Sequence, residues 1–221
     1  MNLLWLALGW LAYAALHSLL AALPVKAWVT RRWPGCAPWY RLAFNALATF
    51  LVLPLAWATH AIPGDWLWRW SGAWAWLANG LALAALAGFW FSTRGYDMGE
   101  FLGTRPLRER RADAVEHENF RISPLHRHVR HPWYALGLVL VWTRDMNAPW
   151  LVSACAITLY FIVGSRLEER KLERHFGPAY REYREKVPGL IPLPWKRLTP
   201  AEADALMQRS VQRARHRQHE L

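Results

Sequence analysis

The chain has 221 residues, a formal net charge of +11 and a mean hydropathy of −0.02. The length suits one medium domain, but a hydropathy near zero here averages two unlike populations, long uncharged apolar runs and arginine-rich polar stretches. The basic residues follow the ends of the apolar runs and form no independent basic domain, which argues against nucleic acid as a partner and for a membrane protein.

Residues 3–23, 39–61 and 72–91 carry no charge except Arg41, and each is about the length that crosses a bilayer's hydrocarbon core. Residues 1–91 therefore read as three transmembrane helices with short loops. No basic residue precedes the first run and no small-residue cleavage pattern follows it, so it reads as a retained anchor, not a removable signal. Lys26, Arg31 and Arg32 follow the first run, whereas Arg69 is offset by Asp65 after the second. The positive-inside rule then sets the N-terminus outside and the C-terminus in the cytosol, in an inner membrane of bacterial type. Trp66, Trp68, Trp70 and Trp74 mark the outer boundary, with Trp142 and Trp150 joining that belt. His17, Ser18 and Asn45 lie at one depth near the inner face, where interhelical hydrogen bonding is the first reading and the lining of a substrate tunnel the second.

From Ser92 to Arg130 the chain is polar, of mixed charge and punctuated by Gly95, Gly99, Gly103 and Pro106, the pattern of a cytosolic loop ordered only in part. Pro132 suits the first turn of a helix, and Trp133 to Thr143 is apolar but, at roughly 18 Å of helix, too short to cross alone. The next apolar run, from Pro149 through Gly164, makes a hairpin with it and continues into the cytosol through Leu172, leaving a notch at the inner surface beside the short arm. Thr199-Pro200-Ala201-Glu202 is a capping box that opens a basic terminal helix. The sequence thus predicts an all-α integral membrane bundle of about five transmembrane helices, with a catalytic region over 92–221. Cys36 and Cys155 have no metal-like spacing and receive no role.

Two patterns carry possible chemistry. In Arg130-His131-Pro132-Trp133-Tyr134, the proline pushes His131 toward an extended conformation while the helix beginning beside it presents free N–H groups that favour an anion. Arg130 adds a planar donor pair suited to a carboxylate, and His131 and Tyr134 can bond a polar ligand. An interfacial anchor accounts for the same residue types, and composition alone favours it. The second pattern is Glu168-Glu169 on the helix leaving the membrane. Neighbours point about 100° apart, so one carboxylate can face inward while the other is solvated. A solvated charge near Arg170 and Lys171 is again the plainer reading. Together the two patterns supply the donors and acceptors that S-adenosylmethionine, with its carboxylate, ammonium, ribose diol and base, requires in one notch.

The stretches LHRHVRHPWYALG and LEERKLERHFGPAYREYREKVPGLIP, between about Ile122 and Trp195, resemble the membrane methyltransferases that include isoprenylcysteine carboxyl methyltransferase, phospholipid amine methyltransferases and bacterial thiol methyltransferases. HSLLAAL and YRLAFN in the first half look like the bacterial thiol-methylating and nitrite-associated branch. The resemblance implies an S-adenosylmethionine pocket of helical cytosolic elements and a tunnel toward the membrane for an apolar or amphipathic acceptor. It places His131, Pro132 and Tyr134 at the cofactor's methionine and sulfonium end and Glu168 as a contacting carboxylate, with Arg130 and Glu169 beside them. His126 falls where the family often has an aromatic residue, and the family's upstream cofactor contacts are not clearly matched by Glu118 to Arg121. No G-x-G-x-x-G follows a strand, which disfavours a Rossmann-type enzyme.

The acceptor, a thiol, carboxylate or amine, stays open, and no catalytic base stands out. Arg166 is a candidate contact for an anionic acceptor, against snorkelling toward headgroups. Membrane lipid is the expected surrounding partner. Two rivals remain: a non-catalytic membrane scaffold or assembly factor, and a haem-binding electron carrier suggested by nine histidines. His17 near the inner face and His60 near the outer face cannot share one haem.

Overall fold

A computed structural model describes residues 2–94, 97–112 and 120–219, with side chains through Ser210. The chain is mostly helical. The first apolar run forms α1 (Asn2–Ala21), followed by α2 (Leu23–Arg32), a 3-10 segment (Pro34–Trp39) and α3 (Tyr40–Ala61). A short strand β1 (Trp66–Trp68) leads into α4 (Gly72–Thr93). The segment expected as a loop contains α5 (Met98–Leu102) and α6 (Thr104–Arg108), while Gly95 and Glu118 lie outside the described residues. Helix α7 (Pro132–Trp142), strand β2 (Met146–Asn147) and α8 (Ala148–Phe176) form the expected hairpin, and α9 (Pro178–Lys186) and α10 (Pro200–His219) complete the chain.

Among the described residues, four helices are long and apolar enough to cross a membrane: α1, α3 with its 3-10 lead-in, α4 and α8. Helix α7 is apolar but only 11 residues long. The spans have large outward side chains such as Trp5, Phe50, Trp57, Trp76 and Trp90 exposed, as an apolar solvent permits. Inside, where lipid offers no partner for a polar group, three helices share a buried node. Trp10 Nε1 of α1 donates to Ser153 Oγ of α8 at 2.8 Å, and that hydroxyl lies 2.6 Å from Thr59 Oγ1 of α3.

Helix α2 was not legible as an element. Pro24 in its first turn and Arg31 and Arg32 in its last are the residues a helix favours at those ends. Helices α5 and α6 are joined at Gly103, whose φ of +88° and close approach to α3 leave no room for a side chain: a Cβ would lie 2.6 Å from the Leu42 backbone nitrogen. Phe101 O accepts from both Arg41 Nε (3.0 Å) and Asn45 Nδ2 (2.9 Å), pinning this region to the start of α3. His17 Nδ1 lies 2.6 Å from the Tyr160 hydroxyl of α8.

At one end of the bundle, β1 pairs antiparallel with β2, Trp66 opposite Asn147 and Trp68 opposite Met146. At the other end, α8 runs on beyond α7 and a second core assembles from Ile122, Tyr180, Tyr183, Val187, Leu198, Ala203 and Leu206, with Phe120, Leu172 and Phe176 against it. The capping box forms as read: Thr199 N donates to Glu202 Oε2 at 2.9 Å, and Glu202 N to Thr199 Oγ1 at 3.3 Å.

Candidate active site

Pro132 occupies the first turn of α7, and His131 is its N-cap in a non-helical conformation (φ −121°, ψ 70°) with no side chain capping the helix. The ring of Tyr134, one turn on, stacks on that of His131 with centroids 5.5 Å apart, and on its far side lies Phe161 of α8 at 4.5 Å. Gly164 of α8 lies beside the Tyr134 hydroxyl, where an added Cβ would make an ordinary van der Waals contact at 3.8 Å.

Helix α8 brings both glutamates to this ring. His131 Nε2 lies 3.0 Å from Glu169 Oε1, and Nδ1 lies 3.5 Å from Glu168 Oε2. The carboxylates differ as adjacent helical positions require: the Glu169 side chain is 13% exposed and that of Glu168 48%. Arg130 is committed to the protein itself. Its Nε and Nη2 donate to Glu169 Oε1 at 2.9 and 2.7 Å, and Nη1 donates to the Arg184 and Val187 carbonyls at the end of α9. The guanidinium thereby satisfies terminal helix carbonyls and ties α8, α9 and the approach to α7 together.

The backbone repeats that tie. Arg130 N donates to Pro188 O (2.8 Å) and His131 N to Gly189 O (3.1 Å), while Leu198 N donates to Arg127 O (2.9 Å) and the Tyr183 hydroxyl to His126 O (2.7 Å). From the other side, Trp133 Nε1 donates to Ser92 Oγ of α4 and its ring meets Phe101 of α5 edge-on.

The two histidines here are driven apart in charge. Burial opposes protonation of His131, but hydrogen bonds to Glu168 and Glu169 outweigh it and raise its pKa above the ordinary 6.5. His126, against Ser123 Oγ at 2.7 Å, is lowered to about 4 by burial and by the neighbouring charge of His131. Protonation is thus favoured on the ring held between two carboxylates and disfavoured on the other.

Over 182 residues the chain is 32% identical to methanethiol S-methyltransferase 2 of Bradyrhizobium diazoefficiens, a match covering 81% of this chain and 69% of that protein. It is 32% identical to the methanethiol S-methyltransferase of Mycobacterium tuberculosis over 191 residues, covering 82% and 75% of the two chains. The chain belongs to the methanethiol S-methyltransferase family of membrane methyltransferases. A Pseudomonas methanethiol S-methyltransferase matches at 29% over 189 residues, 81% of this chain and 69% of that one. No family profile and no solved structure matches.

In this family member His131, Pro132, Tyr134, Glu168, Glu169 and Arg130 stand together, with His126 one 3-10 turn away. Arg166, the expected acceptor contact, is exposed on α8. Sequence reasoning missed Phe161, the third ring of the stack, and Ser92, the partner of Trp133. An aromatic residue and a serine in apolar runs carry no signal until their helices are docked. Among the described residues, no cluster of histidine, cysteine and carboxylate side chains could hold a metal ion.

Proposed function

We propose that this protein transfers a methyl group from S-adenosylmethionine to a small thiol. The reading is supported chiefly by the match, across 81% of the chain, to a protein named for methylating the sulfur of methanethiol. The donor set at His131 fits the cofactor: a half-exposed carboxylate at Glu168, an uncapped helix start at Pro132, and the Tyr134 ring with its hydroxyl. S-adenosylmethionine supplies a methyl group already activated by its sulfonium. Glu168 would accept from a ribose diol or ammonium, and the N-terminus of α7 would receive the methionine carboxylate. Glu169 and Arg130 hold His131 in place and are positioning residues.

A thiolate sulfur gives its electron pair to the methyl carbon as the carbon–sulfonium bond breaks, leaving S-adenosylhomocysteine; the thiol proton departs to water or a base before attack. Acceleration would come mainly from in-line alignment of the thiolate sulfur, the methyl carbon and the leaving sulfur. The wider kinship carried by LHRHVRHPWYALG supports an acceptor path from the membrane, with the His131 end of the bundle facing the cytosol.

Incubating the purified full chain with methyl-labelled S-adenosylmethionine and methanethiol should release labelled dimethyl sulfide. A prenylated cysteine analogue and a lipid amine serve as competing acceptors. Methylation of either of those in preference to methanethiol would refute the thiol assignment, and cofactor binding with no transfer to any of the three would favour a scaffold.

A further inference from the structure

A cavity of about 450 Å³ lies at the end of the bundle opposite His131. It exists because α7 stops early. Trp142, the last residue of α7, donates from Nε1 to Thr158, well inside α8, at 2.9 Å, and a turn at Thr143–Arg144 followed by β2 leads from there to the start of α8. The cavity opens there, lined by Trp66, Trp70 and Trp150, by Asn79 and Asn147, and by the charged pair of neighbours Arg144 and Asp145.

The charges around it are unevenly paired. Asp145 is held by Trp70 N at 2.9 Å and by Arg69 Nε at 3.9 Å. Arg144 has a single weak side-chain bond, from Nη2 to the neighbouring Thr143 Oγ1 at 3.4 Å. Its Nε is buried without an acceptor, the sole such side-chain atom among the described residues. A desolvated guanidinium N–H with no acceptor is unfavourable, and the planar donor fork of the same side chain, which lines the cavity, suits an oxyanion. The segment Trp66–Trp70 beside it is rich in tryptophan, and the cavity sits level with the ends of α3, α4 and α8, at the depth of headgroups if those helices span.

We propose that this cavity binds a phosphate ester, its phosphate on Arg144 with the asparagine amides nearby and its apolar or polyol arm against the indole faces. The headgroup of a glycerophospholipid in the leaflet opposite the His131 site is one source of that group, and a soluble phosphate ester is the other. The site is independent of the methyl-transfer reading, because it lies at the far end of α7 and α8 and is measured by binding alone.

The test uses the full chain in an uncharged maltoside detergent, titrated with phosphatidylglycerol, with diacylglycerol of the same acyl chains, and with free glycerol 3-phosphate, following the thermal unfolding midpoint. Phosphatidylglycerol should raise the midpoint and diacylglycerol should not. An equal response to glycerol 3-phosphate assigns the site to a soluble ester, and no response to it assigns the site to lipid. Arg144→Gln should weaken phosphate-ester binding by about tenfold or more, with Arg144→Lys intermediate. Asn79→Leu, which leaves the cation in place, should weaken it less and serves if Arg144→Gln fails to fold. Equal stabilisation of the wild-type chain by phosphatidylglycerol and diacylglycerol, or undiminished affinity in a folded Arg144→Gln protein, overturns the proposal.

Discussion

The Nε2 atom of His131 lies 3.0 Å from Oε1 of Glu169, and that same carboxylate oxygen receives two N–H groups of Arg130. Two residues adjacent in sequence at the mouth of α7 are thus joined through one oxygen on α8, while Glu168, one residue earlier, keeps half its surface open. The two glutamates should behave differently. Glu168→Ala should weaken S-adenosylmethionine binding by roughly tenfold or more and change thermal stability little, because its half-exposed carboxylate is the proposed ligand contact. Glu169→Ala should lower stability by about 3 kcal/mol, since it strands a largely buried guanidinium. Calorimetric titration and thermal unfolding of both variants separate the roles; equal effects on both quantities would contradict the split.

His131→Ala should weaken cofactor binding while preserving the helical content of the spans, which are held by contacts remote from it, such as Trp10–Ser153–Thr59. Circular dichroism and titration together check this, and loss of helical signal would show that the bundle depends on the site.

The histidine pair makes an opposite-signed pH dependence. The pKa of His131 is raised in the folded state, so its stabilising contribution is complete below 6.5 and fades as pH rises through the folded value. The pKa of His126 is lowered to about 4, so its contribution is present above 6.5 and is lost as pH falls toward 4. Stability arising from the pair therefore peaks near 6.5. His126→Gln should flatten the acid limb, removing a slope of up to about 1.4 kcal/mol per pH unit. Unfolding midpoints of both proteins at a series of pH values in micelles measure it.

Gly103→Ala should destabilise the region between α4 and α7 by about 1–3 kcal/mol, because alanine is strained at a φ of +88° and its Cβ meets the α3 backbone. Hydrogen exchange should show faster opening of 98–108 with α10 unaffected.

Leu206→Ala should cost about 2–5 kcal/mol, since the side chain is wholly buried in the second core. Far less effect is expected from Leu83→Ala on the exposed face of α4. Thermal unfolding of both variants distinguishes a protein core from a lipid-facing surface.

The positions of the long spans were readable from residue order because an uncharged run of bilayer length has no better solvent than lipid, and the capping box at Thr199 was readable because its partners lie three residues apart. The short hairpin arm was legible for a similar local reason, whereas the meeting of His131 with Glu168 and Glu169 was expected from the donors and acceptors the two patterns supply and from the family resemblance. Helix α2, helices α5 and α6, and the inward choice of Glu169 were not: the first lacks a strong apolar period, and the others depend on docking to α3 and on the rotation of α8 against α7.

Residue order by itself therefore determined which segments are apolar enough to span and which side chains stand at their ends, since hydrophobicity and terminal N–H groups are properties of contiguous chain. Tertiary structure alone decided the pairings. Arg130 finds its carbonyls 54 and 57 residues away, and Asp145, adjacent to Arg144 in sequence, turns to Trp70 and Arg69. Such choices rest on the relative phase and height of packed helices, and no linear pattern encodes those.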